Sequence, residues 1–240
     1  PIVAELNYLH LTEVHEQLGQ GGMGLYSQLI ATDGTVENHW EISQLSTGCS
    51  TQRSSPELIE NDNQTWLLTH LSPPPHLCVI GGGVDAQPLV QMAKTLGWTV
   101  TLWDSRPANG RREYFMSADQ ILRQPLNQLM EHRTAAHWNA AVVMSHNLQI
   151  DADAIKAFQG SAIEYLALLG PASRKQQVLA LAQLDEQELC IPLAGPAGLN
   201  LGAELPEGIA LSILAECHAV LQGATGQSLS SVLAAVSETP

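Results

Sequence analysis

The sequence predicts an α/β protein: a Rossmann-like parallel sheet with helices on both faces, preceded by a small α+β unit. Three observations carry this. After Ser72-Pro73-Pro74-Pro75, short continuous apolar runs alternate with helical patterns, as strands buried on both faces require. The first of those runs ends in three glycines that feed a helix. Before the prolines, a helical segment and hairpin-like strands describe a separate, smaller body. Three consecutive prolines favour an extended connector and cannot continue a helix, so the boundary falls there, giving units 1–72 and 73–240.

In the first unit, Ile2, Leu6 and Leu9, then Leu11, Val14 and Leu18, recur at helical spacing, and the glycines from Gly19 to Gly22 end the run. Strand-like runs at 25–31 and 36–42 are joined through Asp33-Gly34, a favoured hairpin turn. A polar stretch over 43–56 precedes an apolar strand at 65–71. In the second unit the strands are expected at 77–80, 98–103, 140–144 and 163–169. Helices are expected at 85–96, with Pro88 tolerated in the first turn, from Asp151 as a cap residue, at 173–184, and at 209–221 between Pro206 and Gly223.

Composition narrows the function classes. Among 240 residues, 45% are apolar and 14% charged, which excludes a disordered chain. Ten basic residues against 24 acidic ones give a net charge of -14, the wrong sign for binding nucleic acid or an anionic membrane. No apolar run reaches the ~20 residues of a membrane span and no signal peptide opens the chain, so cytoplasm is the expected compartment. Cys49, Cys78, Cys190 and Cys217 are widely spaced without a C-x-x-C pair, which argues against a zinc site or a disulfide framework. The first residue is Pro1, which suggests a fragment or processed product.

Three motifs are placed to carry chemistry. Gly81-x-Gly83-x-x-Ala86 follows a strand and opens a helix, so its backbone amides and the helix dipole favour an anionic ligand, with Asp85 at the helix start. Asp104 lies 21 residues beyond Gly83 at the end of the next strand, where a Rossmann fold places its ribose-binding carboxylate. Arg106 either favours a 2′-phosphate or is a solvated cation. The alternative for the glycines is a tight turn with close helix–strand packing. Ser145-His146 ends the run from Ala141 to Met144, where strand ends meet a ligand crevice; the alternative is a histidine that satisfies loop backbone. The third motif spans Gly195 to Glu204: Gly198 and Gly202 permit close approach, and Asn200 and Glu204 offer hydrogen bonds. Its alternative is a packed turn that feeds the last helix. His10 and His15, like His132 and His137, are five apart and splay across a helix, and no G-x-S-x-G, Walker lysine or H-E-x-x-H occurs. Asp151 and Asp153 read as a cap and a first-turn acid.

The order of Pro73-Pro-Pro-His-Leu-Cys-Val-Ile-Gly-Gly-Gly, Leu96-Gly-Trp-Thr-Val-Thr-Leu-Trp-Asp-Ser-Arg-Pro107, Ala141-Val-Val-Met-Ser-His146, Tyr165-Leu-Ala-Leu-Leu-Gly170 with Ser173-Arg-Lys175, and Gly198-Leu-Asn-Leu-Gly-Ala-Glu-Leu-Pro-Glu-Gly-Ile-Ala-Leu-Ser-Ile-Leu-Ala-Glu216 resembles the XdhC/CoxI family. These are accessory factors of xanthine-dehydrogenase-type molybdoenzymes. The resemblance covers about residues 70–223, and its last motif is the most specific. Residues 1–70 are only loosely similar to the family's middle segment.

The resemblance implies a non-catalytic chaperone that holds the molybdenum cofactor (molybdopterin), supports its sulfuration and hands it to an apo xanthine dehydrogenase-type molybdoenzyme. A cysteine desulfurase and a second copy of the chain, as a homodimer, are further implied partners. The implied cofactor-binding residues are Gly81, Gly83, Asp85, Asp104, Ser145, His146, Gly198, Asn200, Gly202 and Glu204. The chain departs from the family in two places. The Gly-Gly-Cys segment of the family's leading domain has no match, and Cys49 in Thr47-Gly-Cys-Ser50 lacks the right surroundings. The family's Gly-Ser-Arg-Arg-Lys turn is here Gly170-Pro-Ala-Ser-Arg-Lys175. The competing expectation is an NAD(P)-dependent oxidoreductase, with Asp104 on the adenosine ribose.

Overall fold

The computed structural model describes residues 10–31, 35, 37–42, 56–61, 63–132 and 134–230. The chain divides into two compact units, Pro1–Pro74 and Pro75–Pro240. In the first, α1 (Leu11–Gly19) precedes four strands, β1 (Gly24–Ile30), β2 (Asn38–Ile42), β3 (Glu57–Asn61) and β4 (Gln64–Leu71). They form an antiparallel sheet in the order β2-β1-β4-β3, with Tyr26 of β1 opposite Trp40 and Thr69. The sequence does not announce β3, because Glu57-Leu-Ile-Glu-Asn61 lacks the apolar–polar alternation of a half-buried strand; all five residues are exposed on a sheet edge. Residues 1–9, the Asp33-Gly34 turn, the polar stretch to 55 and Cys49 lie outside the described residues.

The second unit runs β5 (His76–Ile80), α2 (Ala86–Thr95), β6 (Thr99–Trp103), β7 (Gln120–Leu122), β8 (Ala140–Val143), α3 (Leu148–Phe158), β9 (Tyr165–Leu168), α4 (Ala172–Ala182), β10 (Leu193–Ala194) and α5 (Pro206–Leu221). All pairings are parallel, in the order β10-β9-β8-β5-β6-β7. Counted from β5, this is the doubly wound order 3-2-1-4-5-6. Strand alternation splits the core into two faces. Leu77 and Val79 pack with Leu89 and Val90 of α2 and Ile213 of α5. Cys78 and Ile80 face Ile155 and Phe158 of α3 and Val178 of α4. Every β5 residue is buried, which explains the unbroken apolar run. The sequence does not predict the two short strands β7 and β10; at three and two residues they carry no period of their own and exist because a neighbour supplies hydrogen bonds.

The start of α3 corrects the sequence reading. Its cap is Asn147, whose side chain accepts from the Gln149 and Ile150 amides, and Asp151 is the fourth residue of the helix, fully buried. A capping residue would be solvated; this one is held by partners from other elements, described below. The His132 and His137 pair does not share a helix: His132 follows the 3-10 turn Leu126–Glu131, and His137 ends the next one, Ala135–His137.

Helix α5 is fixed by the glycine-rich segment before it. The Gly198 amide donates to Glu216 Oε2 at 2.8 Å, and the Tyr165 hydroxyl donates to the same oxygen at 2.6 Å. Burial, and then Glu216, push the Tyr165 phenol up, so it remains a donor. The Ser212 hydroxyl donates to the Leu199 carbonyl, and the Leu199 amide returns a bond to the Ser212 carbonyl at 3.2 Å. Gly198 has φ +99, and a Cβ there would lie 2.9 Å from the Ile213 nitrogen. Gly198→Ala is therefore expected to destabilise the second unit by roughly 2 kcal/mol or more, read as a lower urea midpoint.

His76 opens β5 with its Nε2 2.8 Å from Thr101 Oγ1. Burial pushes its pKa down to about 4, outweighing the Asp119 carboxylate. The folded chain thus keeps His76 neutral where the unfolded chain binds a proton, near pH 6.5. Its contribution is complete above pH 6.5 and is lost as pH falls towards 4. At about 1.4 kcal/mol per pH unit this amounts to roughly 3 kcal/mol. His76→Gln, which keeps a partner for Thr101, is expected to flatten the stability profile over that window in urea titrations.

Candidate functional site

In an open parallel sheet, ligands enter at the carboxyl ends of the strands where the winding reverses. Here that point lies between β5 and β8, and the two strand ends meet through Gly81. Its φ is +112, and a Cβ would stand 2.6 Å from both the Met144 oxygen and the Ser145 Cα. Its amide donates to the Trp103 carbonyl at 2.8 Å. Gly82 is equally confined, with a hypothetical Cβ 2.3 Å from the Gly110 nitrogen. These two glycines are demanded by packing. Gly83 differs: a Cβ there would meet only His146 Cδ2, at 3.9 Å. The Gly83 and Val84 amides have no acceptor among the described residues, and they lie in the turn just before Asp85, the N-cap of α2.

Asp104 is at the end of β6, as expected, but its carboxylate is already engaged. It accepts from the Gly82 amide at 2.8 Å, and from the Arg106 amide, Nε and Nη2 at 2.9, 2.9 and 2.7 Å. Burial would push its pKa up; the Arg106 side chain and the Gly82 and Arg106 amides outweigh that and hold it below the usual carboxylate range. Its side chain is 1% exposed. The loop beyond is stapled down by Arg123, which donates to the Gly110 carbonyl at 2.9 Å, while the Gly110 amide donates to the Gly82 carbonyl at 3.0 Å. Asp104 and Arg106 thus organise the turn rather than present an open acceptor.

At the end of β8, Ser145 and His146 point to different partners. Ser145 is buried, and its hydroxyl donates to Asp151 Oδ1 at 2.5 Å. Arg174, in the first turn of α4, donates to Asp151 Oδ2 at 2.5 Å. The sequence did not signal this Ser145–Asp151–Arg174 chain, because the three residues come from three elements. His146 takes a left-handed backbone, φ 58, and reaches across the crevice to Asp85 Oδ2 at 3.0 Å. His146 is 56% exposed and Asp85 33%, so the bridge lies at the mouth.

Beside this bridge opens a cavity of about 170 Å³, lined by Asp85 and Leu89 of the α2 region, Met144, Leu169, Glu204, and Pro206, Ile209, Ala210 and Ile213 of α5. Of the expected residues, Asp85 and Glu204 line it; His146 is bonded to Asp85, Gly83 lies two residues before Asp85 with its Cα facing His146, and Gly81 packs against Met144 and Ser145. Gly198 faces α5 instead, its amide held by Glu216. Asn200 is exposed without a hydrogen bond among the described residues, and Gly202 has open space around it. The apolar lining was legible only as core positions of helices and strand ends. No group of three metal-ligating side chains occurs among the described residues, and no described helix is long and apolar enough to cross a membrane.

Comparison with known proteins agrees with this layout. The XdhC Rossmann domain matches residues 77–217, from the second residue of β5 to Cys217 of α5. A Bacillus subtilis (strain 168) protein, described as a probable xanthine dehydrogenase subunit, is 34% identical over 150 residues, which are 62% of this chain and 44% of that protein. The uncharacterized protein YqeB of Escherichia coli (strain K12) is 31% identical over 157 residues, 63% of this chain and 28% of that protein. The chain therefore spans less than half the length of either relative. The crystal structure of a Bacillus halodurans protein described as a xanthine dehydrogenase shares the fold, with TM-score 0.72 and 22% identity over 93% of this chain and 67% of that one. Since the matched segment is more than half of the sequence and contains the whole crevice, the chain belongs to the XdhC family, with its XdhC Rossmann domain at residues 77–217.

Proposed function

We propose that this chain is an accessory factor of a xanthine dehydrogenase-type molybdoenzyme, and that it binds the molybdenum cofactor in the β5/β8 crevice for delivery to the apo-enzyme rather than catalysing a reaction. The observation that carries the reading is the pairing of two unlike features in neighbouring residues: a mostly apolar cavity of about 170 Å³ that Asp85 lines and, in the two residues before Asp85, the unengaged amides of Gly83 and Val84. A molybdopterin has matching parts, a flat heterocycle and a phosphate monoester. Amides at a helix start hold a phosphate through hydrogen bonds and the helix dipole. The apolar walls suit the ring system. The kinship with the B. subtilis protein supports the choice of client. Sulfuration by a cysteine desulfurase, and a homodimer as the working form, follow from the family reading and belong to this proposal.

The saturated Asp104 weighs against a dinucleotide. An adenosine ribose needs a carboxylate with a free lone pair facing the crevice, whereas Asp104 accepts four hydrogen bonds from Gly82 and Arg106. Binding NAD there would require the Arg106 fork to let go.

Native mass spectrometry of the freshly purified chain mixed with isolated molybdenum cofactor is expected to show a one-to-one complex, and its absence under conditions where a longer relative binds would refute the reading. Gly83→Ala places a methyl where the phosphate approaches, without a clash inside the protein. It is expected to weaken cofactor binding about tenfold, or ~1.4 kcal/mol, while stability changes by no more than about 0.5 kcal/mol. Asp104→Asn is expected to behave in the opposite way, lowering stability by roughly 2 kcal/mol through the unpaired Arg106 with no NAD(H) affinity to lose. Saturable NAD(H) binding by calorimetry that Asp104→Asn abolishes would establish the oxidoreductase reading instead.

A further inference from the structure

The charges in the crevice are distributed unevenly, and this fixes which end of a ligand goes where. Two carboxylates, Asp85 and Glu204, supply the only charged side chains in the cavity lining, and the other seven lining residues are apolar. A phosphate inside would face like charge with no cation to offset it. The groups that favour an anion lie outside the lining: the Gly83 and Val84 amides, in the turn just before α2. What the cavity can accept is an apolar-faced ring with hydrogen-bond donors on one edge.

Of the two carboxylates, Asp85 already receives the His146 Nε2 contact at 3.0 Å, while Glu204 has no hydrogen bond or ion pair among the described residues. A 2-amino-4-oxo pyrimidine edge presents two parallel donors, the ring N3–H and the exocyclic amine, at the spacing of the two oxygens of one carboxylate. A fork of this kind is geometrically selective as well as strong, because both bonds are charge-assisted. We propose, on the basis of the cofactor-binding reading above, that the cavity takes its ligand ring first and that Glu204 reads the 2-amino-4-oxo edge of the pterin, leaving the phosphate at the mouth on the Gly83 and Val84 amides. Glu204 is thereby a specificity-determining residue. It lies in the exposed segment just ahead of α5, so changing it leaves the core intact.

The test uses the full chain with bare rings and no phosphate. Fluorescence titration with pterin (2-amino-4-oxo) and with lumazine, its 2,4-dioxo analogue, isolates the exocyclic amine. The expected result is pterin bound at least tenfold more tightly than lumazine, that preference lost in Glu204→Gln with an unchanged melting temperature, and pterin competing with molybdenum cofactor. Equal binding of pterin and lumazine, or a preference that survives Glu204→Gln, overturns the proposal. So does cofactor binding that is displaced by inorganic phosphate and not by pterin; that result leaves cofactor binding standing and reverses the ligand's orientation. Guanosine monophosphate displacing pterin with much higher affinity would overturn the pterin assignment in favour of a guanine nucleotide bearing the same edge. If neither ring nor cofactor binds, the functional reading fails together with this one.

Discussion

A single buried carboxylate ties the second unit together at the place where a ligand would enter. Asp104 stands at the end of β6 and receives the Gly82 amide from the turn after β5, so the first two strands of the winding are locked at their carboxyl ends. An isolated charge at that depth would be prohibitively costly; Arg106 makes it tolerable by supplying three further donors, one from its backbone and two from its guanidinium. Gly82 has no freedom within this lock, since Gly110 closes over its Cα face. The consequence extends one residue further. Because Gly81 and Gly82 are committed to packing, the first amides free to meet a ligand are those of Gly83 and Val84.

The same economy governs the far wall. The segment that precedes α5 looks like a ligand loop by composition, yet Gly198 and Leu199 turn inward to Glu216 and Ser212. That anchoring brings the remainder of the segment, up to Glu204 and Pro206, to the cavity edge. The second buried charge, Asp151, plays a corresponding part beneath β8: with Ser145 and Arg174 it sets the backbone that turns His146 outward. Two aspartate–arginine pairs, Asp104 with Arg106 and Asp151 with Arg174, therefore hold the rim, and the ligand-facing surface is left to apolar side chains, two carboxylates, an imidazole and a pair of amides. Within that surface the Ser145 hydroxyl is bonded to Asp151 and the His146 imidazole reaches Asp85.

Sequence reasoning reached the strands that are buried on both faces, because their residues must all be apolar, and it placed the glycine turn and Ser145-His146 just past strand ends, where the structure has them. It did not reach β3, β7 or β10, which are short or exposed and owe their geometry to a partner strand. It misassigned Asp151 for a physical reason: Asp near the start of an apolar helix is usually a cap, and nothing local reveals that Arg174 and Ser145 wait to neutralise it. The cavity walls were read only as core, since Leu89 or Ile213 has the same period whether it faces a neighbouring helix or a void.

Apolar runs, proline punctuation and glycine placement are local properties of the chain, and by themselves they determined the α/β class, the two-part organisation and the parallel winding; the family was legible only as a resemblance of whole motifs in their order. The roles of individual residues depend on which donors and acceptors converge in space. Only the tertiary structure decided that Asp104 is saturated while Glu204 is not, and that Gly83 is open while Gly82 is closed. A hydrogen bond between elements 20 or 60 residues apart leaves no period in the sequence, because it costs the chain one residue at each end and no pattern in between.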